Sequence, residues 1–343
     1  MPEWRICPSP RFLIVVLCLS LCACATPPPS ITKPVAKEIP GGLIPAEYLC
    51  PSPAHEAVDP KLAREIKDFL AEGGILAGYP GAANLPMVLN GPVESYLRAF
   101  SRNQKTTFKT YLSRSGRYLP MMRRIFKERD LPQDLVYLAL VESGFNPFAR
   151  SPAEAVGIWQ FIEGTARRYG LKVNNWVDER RDPEKATRAA ARYLQDLFTQ
   201  FGCWYLAAAG YNAGEHRVER ALGKNGETSF WDLAQNGLLP RETCHYVPQF
   251  IAAALIARNP QKYGFDGVAY QGPLVYEVVK VPGGTNLRRV AQVLDLDYQD
   301  LKELNPELKS DQAPPAPQDY LLKIPRGKKK RLALRLARDK GDS

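Results

Sequence analysis

From Lys61 to about Gly264 the apolar side chains recur at three- and four-residue spacing, and no period-two alternation longer than a few residues interrupts them. That pattern confines most of the chain to helices. Val93, Tyr96, Leu97 and Phe100, then Phe108, Tyr111 and Leu112, then Tyr118, Met121, Met122 and Phe126 stripe a helical segment over 61–129 and read as core packed against the helices after Asp130. After Tyr270 the period changes. Leu274 to Val281 reads as a strand, Asn286 to Leu294 and Tyr298 to Leu304 as two short helices, and Tyr320 to Ile324 as a second strand. The expected fold is mainly α: an all-helical domain over 130–268 with a helical N-terminal extension, plus a small βααβ domain over 272–326.

The ends of the chain carry different signals. Arg5 and Arg11 precede the apolar run Phe12 to Leu19, which is short for a bilayer span and reads as the core of a secretory signal over 1–23. Leu21-Cys22-Ala23-Cys24 resembles a bacterial lipobox. That resemblance implies a lipid on Cys24 and, with Ala25 in place of Asp, an outer-membrane lipoprotein facing the periplasm of a Gram-negative cell. An ordinary signal cleaved near Ala23 is the alternative. Residues 24–60 are proline-rich and read as a semi-extended tether. With 46 basic and 36 acidic residues the chain carries +10, which suits polyanions or an anionic surface without choosing between them. Much of that excess lies in the tail, where Arg326 to Ser343 holds eight basic and two acidic residues. The tail reads as a solvated helix or as a contact for anionic envelope polymer or lipid headgroups. Seven cysteines are too few for a disulfide scaffold, and Cys203 with Cys244 is a candidate pair that spacing alone does not establish.

The chemistry is concentrated near Glu142. Asp130 and Gln133 have the form of a capping box, Pro132 suits a first turn, and Gly144 and Pro147 stop the helix soon after Glu142. Leu135, Leu138, Ala139 and Glu142 then share one face, so the carboxylate projects from an apolar side. Desolvation there raises the pKa and lets a Glu act as general acid near neutral pH. On the spacing alone, a buried salt bridge and an amphipathic helix end stand beside the general acid as readings.

The motifs narrow the choice. Glu142-Ser143-Gly144-Phe145-Asn146-Pro147, Ala149 and Ser151, Gly157-Ile158-Trp159-Gln160-Phe161, Tyr211-Asn212-Ala213-Gly214 and Glu242-Thr243-Cys244-His245-Tyr246-Val247-Pro248 resemble, in this order, the motifs of lytic transglycosylases with a lysozyme-like fold, the membrane-bound members among them. The resemblance covers roughly 108–257. It implies cleavage of the β-1,4 bond between N-acetylmuramic acid and N-acetylglucosamine, with the muramic C6 hydroxyl attacking C1 to leave a 1,6-anhydro end. It further implies Glu142 as the single acid and then base, Ser143 and Ser151 orienting its carboxyl, and Gln160 and Asn212 meeting N-acetyl and hydroxyl groups. Tyr211 would be a sugar contact and Tyr246 would hydrogen-bond at the catalytic carboxyl. Glu163, Asp178 and Glu179 lie downstream, but none holds a motif position for a second catalytic acid.

The βααβ segment resembles a LysM domain on Tyr276-Glu277-Val278, Gly284-Thr285-Asn286-Leu287, Asn305-Pro306 and Leu322-Lys323-Ile324-Pro325. This implies binding of N-acetylglucosamine-containing glycan around Gly284, Thr285 and Asn305, with Thr285 suited to an N-cap. The expected partners are peptidoglycan strands and, through the anchor, the outer membrane, with the chain a monomer. A hydrolytic muramidase and a catalytically weak glycan-binding scaffold are the competing functions. No cofactor or metal is expected: His55, His216 and His245 are scattered and no HExxH occurs. Ser115 lacks the first Gly of a nucleophile elbow, and a basic tail without interleaved aromatics does not point to nucleic acid.

Overall fold

The computed structural model describes residue 85 and residues 87–225 and 229–341. The signal, Cys24, the tether and the first part of the helical extension lie outside the described residues.

The extension enters as α1 (Gly91–Arg98), capped by Asn90, whose side chain accepts from the Val93 amide, with Pro92 in the first turn. A five-residue π turn leads to α2 (Lys105–Lys127), which buries Phe108, Leu112, Tyr118, Met122 and Phe126. These are the expected stripes. The expected capping box is not made. Asp130 takes a φ of 54°, and Gln133–Tyr137 form a 3-10 turn without a side-chain cap. What fixes this turn is tertiary: buried Asp134 accepts from Arg258 Nε at 2.9 Å and from the Leu85 amide at 3.0 Å. The helix α3 (Leu138–Ser143) comes next and stops at Gly144, whose φ of 58° is costly for other residues and whose added Cβ would stand 2.2 Å from the Tyr111 ring.

Among the described residues of this domain six further α-helices follow, the last of which packs against α3. They are α4 (Glu163–Arg168), α5 (Pro183–Phe201), α6 (Trp204–Ala213), α7 (Glu215–Asn225), α8 (Phe230–Gln235) and α9 (Arg241–Arg258). Three fully buried alanine triplets, 189–191, 207–209 and 252–254, lie on α5, α6 and α9. Small side chains there let backbones approach closely, and α6 packs against both α5 and α9. Trp159, Phe161 and Trp204 are core. Cys203 is disulfide-bonded and Cys244 carries a free thiol, so these two cysteines are not joined to each other.

The second unit is the expected βααβ. Strands β1 (Glu277–Val281) and β2 (Tyr320–Ile324) pair antiparallel with Val279 opposite Leu322, and α10 (Leu287–Leu294) and α11 (Tyr298–Leu304) pack on them. β1 begins later than the apolar run predicts, because the Leu274 amide donates instead to the Arg117 carbonyl of α2. Asn286, not Thr285, caps α10; the Thr285 hydroxyl donates to the Pro282 carbonyl. A further helix, α12 (Lys329–Gly341), covers the unit with Leu332 buried in its core, so the basic tail is more than a solvated end.

Asn305, predicted to meet glycan, is fully buried. Its amide donates to the Leu301 and Lys323 carbonyls at 2.9 and 2.7 Å and accepts from the Lys323 amide at 2.9 Å, so it stitches α11 to β2. Asn305→Ala strips three bonds from buried backbone, and a loss of about 2–4 kcal/mol in the unfolding free energy is expected. Denaturant titration checks this; unchanged stability with weakened glycan binding would restore the sequence-based role.

Candidate active site

Glu142 occupies the last turn of α3, and Tyr246 reaches it from the first half of α9. Tyr246 Oη donates to Glu142 Oε1 at 2.6 Å. Burial raises the Glu142 pKa from its ordinary value to about 8; the Tyr246 hydrogen bond pulls it down and the Glu242 carboxylate pushes it up. Tyr246 is buried, and desolvation together with the Glu142 charge holds its phenol well above the usual range, so it remains a donor. The same two causes hold the Tyr211 phenol high.

Ser143 and Ser151 serve the loop over 149–161 rather than the carboxyl. Ser143 Oγ donates to the Ile158 carbonyl at 2.8 Å and accepts from the Asn146 amide, while Ser151 Oγ accepts from the Ala155 amide at 3.1 Å. Gln160, at a φ of 48°, donates its amide to the Gly157 and Ala149 carbonyls and keeps only its oxygen for other partners. Tyr211 Oη donates to the Trp159 carbonyl at 2.8 Å, and its ring lies 5.2 Å from that of Tyr193. Thr243 donates to Asn212 Oδ1 at 2.8 Å, which leaves the amide nitrogen of Asn212 for other partners. The structure thus gathers Glu142, Tyr246, Tyr211 and the loop bearing Gln160, with Asn212 tied to α9. Gly284 and Thr285 belong to the βααβ unit, where Gly284 has a φ of 77° and an added Cβ would meet nothing within 4 Å.

The downstream acids are engaged elsewhere. Asp178 pairs with Arg180, Glu179 accepts from Lys185 and the Lys172 amide, and Glu163 pairs with exposed Arg167. The sequence gives Glu242 only as part of its motif and assigns it no role, yet its charge bears on Glu142 from the start of α9. Its signal was there: it lies four residues before Tyr246, one turn along the same helix face.

A carboxyl with a pKa near 8 donates a proton below that pH and loses the ability above it. Turnover is therefore expected to be level in the neutral range and to fall as pH rises through about 8. Tyr246→Phe removes a bond that favours the charged form, so the fall moves to higher pH, and kcat drops about tenfold as the carboxyl loses its orientation. A pH–rate profile of both proteins checks the sign; a downward move in the variant contradicts it.

Parts of the chain are similar to known proteins. A family model described as the transglycosylase SLT domain matches residues 123–234, and one described as the lytic transglycosylase MltD LysM-like domain matches 275–340. Membrane-bound lytic murein transglycosylase D of Escherichia coli K12 is 36% identical over 220 residues, 61% of this chain and 48% of that protein. The chain thus spans about half the length of this relative. Soluble lytic murein transglycosylase of the same organism is 31% identical over 114 residues, 32% of this chain and 18% of that protein. The solved 70-kDa soluble lytic transglycosylase from Escherichia coli covers 45% of this chain and 26% of its own at 25% identity, with a TM-score of 0.38. The chain carries a transglycosylase SLT domain over residues 123–234, which include Glu142, and a LysM-like domain of the lytic transglycosylase MltD kind over residues 275–340.

Proposed function

We propose that this chain is a peptidoglycan lytic transglycosylase, cleaving the β-1,4 bond between N-acetylmuramic acid and N-acetylglucosamine without consuming water. With Glu142 Oε1 accepting from Tyr246, the acid proton belongs on Oε2. It passes to the glycosidic oxygen as the C1–O bond breaks. The carboxylate then takes the proton of the muramic C6 hydroxyl as that oxygen bonds C1, which closes the 1,6-anhydro ring and regenerates the acid. The carrying observation is the Glu142 carboxyl, raised to about 8 in the grip of Tyr246, while buried Asp178 and Glu179 are held in ion pairs and Glu163 lies exposed beside Arg167.

One observation favours a hydrolytic muramidase instead: Glu242 bears on Glu142 electrostatically and could serve as the base that activates water. Mass analysis of the products released from intact peptidoglycan separates the two. Anhydro ends support the transglycosylase; reducing ends, heavier by one water, overturn it, and glycan binding without any product supports a scaffold.

The LysM-like unit fits glycan binding at the loop around Gly284 and Thr285, since the Asn305 turn is buried. Cell-envelope placement, with Cys24 as the lipid-bearing residue and the chain a monomer, completes the proposal. Labelling with a fatty-acid analogue, lost in Cys24→Ala, tests the anchor.

A further inference from the structure

The LysM-like unit is joined to the catalytic domain by a built interface, not by a linker alone. Lys323 of β2, only 8% exposed, donates its Nζ to Asp182 Oδ2 at 2.6 Å and to Glu307 Oε1 at 3.4 Å. Asp182 also caps α5, and Tyr276 Oη donates to Glu184 in the first turn of that helix at 2.6 Å. Beside this charge cluster, residues 176–178 pair with 307–309 as an antiparallel bridge. The Asp178 amide donates to the Glu307 carbonyl at 2.8 Å, the Lys309 amide donates to the Trp176 carbonyl at 2.9 Å, and Val177 enters the core of the LysM-like unit.

The bridge leads to the active-site loop through one side chain. Asp178, whose backbone the LysM-like unit holds, takes the Arg180 guanidinium on both oxygens, Nε to Oδ1 at 2.9 Å and Nη2 to Oδ2 at 2.8 Å. The remaining arm, Nη1, donates to the Glu154 and Phe161 carbonyls at 3.0 and 3.2 Å, in the middle and at the end of the loop. The Arg180 carbonyl presses on the same loop, where a Cβ on Gly157 would stand 1.9 Å from it. The loop in turn supplies the Ile158 carbonyl to Ser143, next to Glu142, and the Trp159 carbonyl to Tyr211. A planar guanidinium, with five donors in a fixed fork, reaches both carboxylate oxygens and two carbonyls at once; an ammonium, with three donors on one atom, cannot serve all four.

We propose that Arg180 is a positioning residue that ties the docked LysM-like unit to the 149–161 loop, so that docking of that unit sets the surroundings of Glu142. The inference rests on the transglycosylase reading for its kinetic consequence but not for its structural one. Docked in this way, the LysM-like unit offers glycan at a fixed place relative to Glu142 and does not sample a tethered volume.

The test uses the whole chain with Arg180→Met, Arg180→Lys and Lys323→Met, the last opening the interface from the far side of the relay. Arg180→Met is expected to lower kcat about 10- to 100-fold with KM changed less than about threefold, and to move the basic fall of the pH profile toward lower pH as water reaches the carboxyl. Arg180→Lys shows a smaller kcat loss in the same direction and stands in for the Met variant if that chain does not fold. Lys323→Met acts in the same direction, and the double variant with Arg180 falls short of the product of the two effects. Hydrogen exchange of the 149–161 amides, about tenfold faster in Lys323→Met than in the parent, reads the coupling without any turnover; Val177→Ala replaces Lys323→Met if that variant does not fold. Unchanged loop exchange, a parent-like kcat and pH profile in the Arg180 variants, or multiplicative effects overturn the proposal. An inactive parent whose loop exchange still responds to Lys323→Met overturns the transglycosylase reading and leaves the coupling in place.

Discussion

Glu142→Gln is expected to fold as the parent does and to lose about 10²–10⁴-fold in turnover, the span that general acid–base catalysis commonly covers. Gln keeps the acceptor that Tyr246 needs, so the 2.6 Å contact has a counterpart and the pocket keeps its shape. It has no proton to give. The same variant carries a stability signature. A carboxyl raised from 4.5 to about 8 in the folded state is bound to its proton where the unfolded chain has released it, so its burial costs stability progressively as pH rises from 4.5 through 8. Gln escapes that cost. Its melting temperature should exceed the parent's by a few degrees at pH 9, with the gap closing near pH 5. Wild-type turnover in Glu142→Gln, measured on purified peptidoglycan, would remove Glu142 from the mechanism.

Gly157→Ala is expected to cost about 2–4 kcal/mol and most of the activity, although Gly157 has no side chain to take part in the chemistry. Its φ of 87° is open to glycine and costly to other residues, and the added methyl would meet the Arg180 carbonyl at 1.9 Å. Relief requires the loop and the 178–180 segment to separate, which weakens the Arg180 bonds to Glu154 and Phe161. Thermal unfolding with activity measured in parallel checks this. Parent-like values of both would show that the close approach matters little.

Much of this was legible in the chain because it rests on local periodicity. The stripes of α2, the stop at Gly144 and the change of period after Tyr270 are each set by residues three or four apart, or two apart in the strands, and the structure places helices and strands in these stretches, with β1 starting three residues later than its apolar run. The meeting of Glu142 with Tyr246, 104 residues away, was legible only through the resemblance of ordered motifs. What was not legible depends on distant partners. Asp130 and Gln133 spell a capping box, but Arg258 and the Leu85 amide claim Asp134 and the turn becomes 3-10. Thr285 and Asn286 are both good caps by residue type, and the Pro282 carbonyl takes the Thr285 hydroxyl. Asn305 reads as a polar loop residue until Lys323 is seen to engage it with its backbone. Arg180 is one arginine among many in a basic chain, and its place in the relay exists only once 307–309 lie beside 176–178.

Catalysis by a single carboxyl requires Glu142 to stay protonated at neutral pH, and titration of that carboxyl measures this most directly. Infrared difference spectra of the parent, taken across pH 4 to 10 with Glu142→Gln as the reference, isolate its protonated C=O band. A band that persists through neutrality and disappears with a midpoint near 8 is the predicted result. Disappearance near 4.5, the ordinary carboxylate value, would contradict it and leave Glu142 an anion with no proton to donate.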